Sequence, residues 1–272
     1  MSTYAWEAED YACHSAMQKI WAGELIERLA LRGDESVLDL GCGDGLIAAQ
    51  LAAALPCGSV VGVDNSAAMI ALARRRYPPE RHPNLSFQIM DAQALRFDAR
   101  FDRVFSNAVL HWLKDHPAVL AGLHCSLRPG GKLLLRMGGQ GDVADMRATL
   151  ESVIAAAEWS EYFQDFEFPY TFPSPADYRH WLQAAGFSVR RAELLSKDAT
   201  HDGPAGLAAW IRTTWLPYSQ RLPESRREAF IQNVVEAYLL RIPPDDNGLA
   251  HVAMVLLEVE ADKLGDERMD TT

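Results

Sequence analysis

Short apolar segments alternate with longer amphipathic ones through the first half of the chain. The apolar runs have the length of strands, and several carry an acid or an amide towards their carboxyl ends: residues 37–40, 60–64, 84–92, 101–112 and 127–136. Longer segments with helical spacing lie between them, beginning with residues 46–55. Regular alternation of strands and helices predicts a parallel sheet with right-handed crossovers.

Helical spacing dominates the second half of the chain. Helices are predicted at residues 143–157, 174–185, 206–215 and 224–240, and strands at residues 187–195 and 252–259. Because roughly fifty residues separate these two strands, the connection is too long for a simple loop. We therefore expect a helical cap over the open end of the sheet. Residues 11–32 predict one further helix, which either packs on the sheet or forms a lid through Tyr11, Gln18 or Trp21.

A turn with three glycines follows the first predicted strand. Gly41, Gly43 and Gly45 alternate with other residues, and Asp39 lies two positions before the first glycine. A strand, a glycine turn and a helix bring the backbone close to a nucleotide-like ligand. The spacing matches neither a dinucleotide fingerprint nor a Walker loop, so the turn alone also fits a tight connection. The second strand ends at Asp64, where an acid can accept hydrogen bonds from a ribose diol.

Composition limits the classes of partner and location. The net charge of −11 and the sequence pI near 5.2 disfavour nucleic acid, which binds a basic face. The basic runs at residues 74–76 and 226–227 lie in helical segments and are expected to be solvated. Neither a secretory signal nor a run of about eighteen apolar residues is found. The four cysteines include no C-x-x-C pair, so we expect a reduced, cytoplasmic protein without a membrane segment.

The ordered motifs resemble those of class I S-adenosylmethionine-dependent methyltransferases. The matching motifs are LDLGCGDG at residues 38–45, VGVD at 61–64, MDA at 90–92, FD at 101–102 with SN at 106–107, and LRPGG at 127–131. The resemblance implies an α/β fold with a doubly wound, seven-stranded, mostly parallel sheet and a helical cap inserted before the last strands. It also implies S-adenosylmethionine as the cofactor.

This fold implies a division of the chain into functional segments. We expect a lid helix at residues 1–32 and an S-adenosylmethionine-binding core at 33–139. A helical cap over the substrate pocket is expected at residues 140–186 and 197–250. The final strands, at residues 187–196 and 251–263, would complete the core.

The resemblance also assigns roles to single residues. Gly41, Gly43 and Gly45 would pass beneath the amino acid part of the cofactor, and Asp39 would reach its ammonium group through a water. Asp64 would hold the ribose and Asp91 the adenine amino group, while Asn107 would contact the ammonium group. The remaining expected cofactor-binding residues are Tyr11, Asn65, Met69 and Ala92.

His111 and Trp112 lie at the end of the fourth predicted strand, next to where the methyl group should be presented. A histidine there either acts as a general base or shapes the pocket. Trp21, Trp112 and Arg212 are the expected substrate contacts. No metal site is predicted, since His111 and His116 are accompanied by no H-E-x-x-H motif or histidine–cysteine set.

A finer resemblance extends to the trans-aconitate methyltransferases. It includes Trp6 and Tyr11, the block at residues 106–116, and the long helical insert. Two features depart from that group: residues 17–20 replace a Ser-Arg pair, and no arginine cluster occurs in the cap. Arg212 or Arg179 could supply a single carboxylate contact.

The expected function is methyl transfer to a small molecule, with a carboxylate as the preferred nucleophile. A carboxylate is already a nucleophile, so orientation and desolvation would suffice. One alternative is methylation of an oxygen or nitrogen of a natural product or other small metabolite, with His111 as the base. A second alternative is a protein that binds S-adenosylmethionine without catalysis. No nucleic acid or membrane partner is expected, and the oligomeric state stays open.

Overall fold

The computed structural model of the chain describes residues 16–265, and the side chains of residues 21–265. The described strands are β1 (Ser36–Leu40), β2 (Ser59–Asp64), β3 (Leu85–Ile89), β4 (Phe101–Asn107), β5 (Leu127–Gly138), β6 (Phe187–His201) and β7 (Ala250–Lys263). The described α-helices are α1 (Ala16–Arg28), α2 (Leu46–Ala53), α3 (Ala67–Arg76), α4 (His116–Ser126), α5 (Ala144–Ile154), α6 (Pro175–Ala184), α7 (Gly203–Thr214), α8 (Leu216–Ser219) and α9 (Glu224–Arg241). Short 3-10 helices span Ala92–Ala94, Leu110–Trp112 and Ser160–Phe163.

The strands form one seven-stranded sheet in the order β3-β2-β1-β4-β5-β7-β6. The pairs from β3 to β5 are parallel, and β7 is antiparallel to β5. In chain order, β2 and β3 are added on one side of β1, and β4 and β5 are added on its other side. The boundary between β1 and β4 is therefore a topological switch point. Ligands of such sheets bind where the carboxyl ends of the strands meet at this switch point. The predicted fold class is confirmed.

Alternate residues of the strands pack into two hydrophobic clusters. Leu38 and Leu40 of β1 belong to one cluster, which also contains apolar residues of α4 and α6. Val37 belongs to the other, together with apolar residues of α1, α2 and α3. Because successive strand residues point to opposite faces, both faces of the sheet are covered.

The fourth strand is shorter than the sequence predicted. It ends at Asn107 because Ala108 has a φ of +60°, a left-handed conformation that cannot continue a strand. The 3-10 helix Leu110–Trp112 follows at once, so His111 lies on a turn instead of on the strand. The last two strands, in contrast, are longer than predicted.

The described chain divides into two compact units. The sheet unit comprises residues 16–140, 170–195 and 256–265, and it includes α6. The helical unit comprises residues 141–169 and 196–255 and has an aromatic core in which Phe230 contacts both Trp159 and Phe163, at centroid distances of 5.3 and 5.5 Å. The predicted segment boundaries and the role of the helices as a cap stay predictions.

Within residues 16–265, no helix combines the length and the apolar character needed to cross a membrane.

Candidate active site

The glycine turn lies between β1 and α2 and is held against β2. The N–H groups of Gly41 and Cys42 both donate to the carbonyl of Val63, at 2.7 and 3.0 Å. Gly41 has a φ of +76°, and a Cβ there would lie 2.2 Å from a methyl carbon of Val109. Gly43 also has a positive φ, but a Cβ there would meet none of the described residues within 4 Å. The turn therefore touches the Val109 segment at its first glycine, whereas the described part of the chain leaves open space at its second.

Asp39 and Asp64 lie at the carboxyl ends of neighbouring strands but have different surroundings. Asp64 accepts hydrogen bonds from the N–H groups of Gly43, at 3.1 Å, and Ser66, at 2.8 Å. Asp39 is 2% exposed, and its Oδ2 has no hydrogen-bond partner among the described residues. Burial, followed by the charge of Asp64, raises the pKa of Asp39 to about 8. Burial also raises the pKa of Asp64, and its two backbone donors oppose that rise.

Asp91 supplies a third carboxylate beyond the end of β3. Its Oδ1 accepts a hydrogen bond from the N–H of Gln93 at 3.0 Å and so caps the 3-10 helix that begins at Ala92. In the described part of the chain its Oδ2 is buried without a hydrogen-bond partner. The buried, unpaired oxygens of Asp39 and Asp91 are acceptors for which the described protein provides no donor, as expected where a ligand supplies one.

The other predicted cofactor contacts occupy the same strand ends. Asn65 is exposed directly after β2, and Met69 is buried in the first turn of α3. Asn107 is the last residue of β4. Next to it, the Ser106 hydroxyl donates to the carbonyl of Leu40 at 2.9 Å, which links the ends of β4 and β1.

The His111 ring accepts a hydrogen bond from the backbone. The N–H of Gly138, at the end of β5, lies 3.3 Å from Nδ1 of His111. The carbonyl of His111 in turn accepts the N–H of Thr171 at 2.8 Å. Burial, and to a smaller extent the nearby His116, lowers the pKa of His111 to about 4. The ring is therefore uncharged at neutral pH and is a weak base.

Aromatic side chains surround this histidine. The His111 ring centroid lies 5.9 Å from that of Trp112, 6.0 Å from that of Tyr170 and 6.2 Å from that of Phe172. Tyr170 also meets Trp112 edge to face at 4.8 Å. Nothing in the sequence predicted that Phe172 lies beside His111, because the aromatic residues of this irregular segment follow neither helical nor strand periodicity.

The remaining residues predicted as contacts have partners within the protein or fall outside the described residues. Trp21 is buried in α1, and its carbonyl accepts a hydrogen bond from Arg136 at 2.7 Å. Arg212, in the helical unit, forms an ion pair with Glu228 at 2.8 Å, and Arg179 donates to the carbonyl of Ala192 at 2.9 Å. Tyr11 and the side chain of Gln18 fall outside the described residues. Among the described side chains, no group of three or more His, Cys, Asp or Glu residues is arranged to hold a metal ion.

Comparison with known proteins identifies the family. Residues 37–131 match a family model described as a methyltransferase domain. A trans-aconitate 2-methyltransferase from Deinococcus radiodurans is 33% identical over 230 residues, which cover 83% of this chain and 87% of the relative. The enzyme of the same name from Methylobacterium nodulans is 30% identical over 254 residues, which cover 89% of this chain and 92% of that relative. The chain belongs to the class I S-adenosylmethionine-dependent methyltransferases.

The methyltransferase also shares its fold with enzymes of low sequence identity. The crystal structure of a geranyl diphosphate C-methyltransferase from Streptomyces coelicolor superimposes with a TM-score of 0.56 at 15% identity and covers 91% of this chain and 81% of that one. That structure contains Mg²⁺, geranyl diphosphate and S-adenosyl-L-homocysteine. At this level of identity the comparison concerns the fold alone.

Proposed function

We propose that this methyltransferase binds S-adenosylmethionine at the carboxyl ends of β1, β2 and β3 and methylates a carboxylate of a small molecule. The observation that carries the choice of nucleophile is the weak basicity of His111, the ring that accepts the Gly138 N–H. A hydroxyl or amine nucleophile must lose a proton, and a general base works best when its pKa lies near the operating pH. A carboxylate is ionised at neutral pH and needs no base.

The residues at the strand ends fit the cofactor. The unpaired oxygen of Asp91 matches the adenine amino group, which is a hydrogen-bond donor, and the unpaired oxygen of Asp39 would reach the ammonium group through a water. Asp64, fixed by two backbone donors, would accept from the ribose hydroxyls, and Gly43 leaves room for close approach. When bound, S-adenosylmethionine supplies a methyl group on a sulfonium, from which a neutral thioether can leave. Asn65, Met69, Ala92 and Asn107 complete the proposed cofactor-binding set.

The relatives support a carboxylate substrate. Two proteins that share about a third of their residues with this chain, over most of its length, are named trans-aconitate 2-methyltransferases. The substrate of those enzymes is a carboxylic acid by its name. We extend the substrate class, and not the single compound, to this chain.

Methyl transfer to a panel of acids tests the proposal. The protein would be incubated with S-adenosylmethionine labelled on its methyl group and with small mono-, di- and tricarboxylic acids, including trans-aconitate. We expect label transfer and, after mild alkali, release of the label as volatile methanol, because methyl esters hydrolyse under these conditions. Asp64→Ala is expected to abolish transfer by weakening cofactor binding.

Other outcomes would indicate other functions. If a wider metabolite extract yields only alkali-stable label, the carboxylate proposal is wrong and the methylated atom is another oxygen, a nitrogen or a carbon. If S-adenosyl-L-homocysteine binds, as measured calorimetrically, but no compound accepts label, the protein is a cofactor-binding protein without transferase activity. If neither cofactor form binds, the assignment of Asp39, Asp64 and Asp91 is wrong.

A further inference from the structure

We infer that His111 is held with its proton on Nε2 and donates that N–H to an oxygen of the substrate carboxylate. This inference rests on the proposed function and assigns His111 a substrate-binding role in place of a general base. The backbone N–H of Gly138 forms a hydrogen bond with Nδ1 of His111. A backbone N–H can only donate, so Nδ1 of His111 must carry a lone pair. In an uncharged imidazole the single proton is then on Nε2.

The surroundings of the ring keep this arrangement fixed. Gly138 is buried at the end of β5, so its N–H is part of the rigid sheet and not of a mobile loop. The backbone of His111 is held by Thr171, and Tyr170 and Phe172 lie beside the ring. Reversal of the ring would place a carbon opposite the Gly138 donor and leave a buried N–H unsatisfied, which is costly.

The charges near the ring favour its uncharged form. No carboxylate forms a hydrogen bond with the His111 ring among the side chains that the structure describes, so nothing there stabilises an imidazolium. The nearest titratable influence is His116, which is buried, packs against Trp181 and has a pKa lowered to about 4, chiefly by burial. His116 is therefore also uncharged at neutral pH.

Nε2 is the nitrogen available to a substrate. In residues 21–265 no side chain or backbone group forms a hydrogen bond with it, and His111 is half-buried, not fully buried. A protonated Nε2 can donate a hydrogen bond but has no lone pair in the ring plane to accept a proton. A hydroxyl or amine therefore finds no base at this position, whereas a carboxylate finds a donor.

The reaction balances without a proton transfer. One carboxylate oxygen accepts the Nε2–H and is held in place, which leaves the other oxygen to attack. That oxygen forms the new O–CH3 bond as the C–S bond breaks and its electron pair moves to sulfur, so the sulfonium becomes a thioether and the carboxylate an ester. An uncharged donor orients the carboxylate without adding positive charge beside the sulfonium.

The protonation of the ring can be observed without activity. In wild-type protein with nitrogen-15-labelled histidine, the two ring nitrogens of His111 are assigned by comparison with His111→Gln. We expect a protonated Nε2 and an unprotonated Nδ1 throughout the neutral pH range. A proton on Nδ1, or on both nitrogens at neutral pH, would overturn the inference whatever the substrate is.

Substitution of the ring tests its role with an acid that the wild-type protein methylates. His111→Ala removes the donor, and we expect kcat/KM to fall roughly 10- to 100-fold, the usual effect of losing a hydrogen bond to a charged group. His111→Gln places an amide N–H near the position of Nε2 and should recover most of that loss, whereas His111→Asn, whose amide reaches the position of Nδ1, should not. His180→Ala removes an exposed histidine of α6 and serves as the control for a histidine-to-alanine change.

The outcomes separate this inference from the proposed function. Methyl esters formed equally well by His111→Ala and wild type would leave the function intact and overturn the role of His111. Equal and severe losses in His111→Ala and His111→Gln, by several orders of magnitude in kcat with cofactor binding preserved, would restore the general-base reading. Failure of every acid as a substrate would overturn both the proposed function and the donor role, while the tautomer would still be decided by the nitrogen-15 measurement.

Discussion

Two aspartates at the ends of adjacent strands show how the same side chain acquires different properties. Asp64 accepts two backbone N–H groups, which stabilise its charge, whereas Asp39 is almost fully buried and faces the charge of Asp64. Like charges in a shared buried site cannot both ionise readily. Cys42 of the glycine turn is also close to this pair, and the neighbouring Asp44 forms an ion pair with Arg76 at 2.6 Å. In the cofactor-free protein Asp39 is therefore the member of the pair that retains a proton, whereas a nearby ammonium group would favour its ionised form.

Asp39→Asn should change how stability depends on pH in the cofactor-free protein. The pKa of Asp39 is about 8 in the folded chain and about 4 in the unfolded chain, so the folded state holds the proton more tightly. Its contribution to stability is present below pH ~4 and is lost as the pH rises towards about 8. Asparagine cannot ionise, so we expect a higher Tm than wild type near pH 8 and a smaller decline. Thermal melting between about pH 4 and pH 8 measures this change in Tm with pH, and the exposed Asp98→Asn serves as the control. If Tm falls with pH equally steeply in wild type and Asp39→Asn, the argument from burial is wrong.

The three glycines of the turn from β1 to α2 have different surroundings. Gly41 brings the backbone against Val109, two residues before His111, and Gly45 packs where a Cβ would lie 2.7 Å from the Phe87 ring. Gly43 contacts neither, and its N–H binds Asp64. The first and last glycines are therefore needed for packing, and the middle one leaves space for a ligand.

Gly43→Ala and Gly41→Ala should separate binding from folding. Both residues have positive φ, which costs an alanine about 1–2 kcal/mol. Gly41→Ala must also displace Val109, so we expect the larger loss of unfolding free energy. Gly43→Ala should stay folded but bind S-adenosyl-L-homocysteine at least tenfold more weakly in calorimetry, because its methyl group enters the open space. Gly130→Ala, also at positive φ with nothing within 4 Å, is the matched control. Unchanged affinity in Gly43→Ala would exclude this face as the cofactor site.

At the scale of the whole molecule, a buried charge network joins elements that are far apart in the sequence. Glu258 of β7 is fully buried and forms ion pairs with Arg28 of α1, Arg136 of β5 and Arg191 of β6, the last two at 2.6 and 3.2 Å. Arg136 also donates to the Trp21 carbonyl and so fixes α1 to the sheet. Burying the charge of Glu258 without a partner would destabilise the fold through lost hydration, and the ion pairs with the three arginines offset that desolvation cost.

Arg136→Met should destabilise the fold far more than the loss of a surface ion pair. Removing one partner leaves a buried charge less well compensated, which costs roughly 3–5 kcal/mol of unfolding free energy. Arg128→Met removes the exposed ion pair with Asp102 and should cost about 0–1 kcal/mol. Urea unfolding followed by circular dichroism compares the two variants. Similar costs would show that the network contributes no more than a surface pair.

Local periodicity predicted alternating strands and helices in a parallel sheet, the glycine turn, and the acids Asp39, Asp64 and Asp91 at strand ends that meet at one edge. The number of seven strands came from the resemblance of the motifs to those of a known family. The sequence also located His111 near the site. Its helical prediction for the second half was correct in outline, since residues 206–215 overlap α7 over 206–214 and residues 224–240 fall within α9.

The protonation states and hydrogen-bond partners of individual side chains depend on the tertiary structure. The tautomer of His111 depends on Gly138 of another strand, its aromatic neighbours include Phe172 far along the chain, and the proton of Asp39 depends on burial beside Asp64. Likewise, nothing in the spacing of Arg136 and Glu258 predicts their pairing across antiparallel strands. Periodicity encodes which face of an element is buried, whereas hydrogen bonds and desolvation depend on which distant residues the fold brings together.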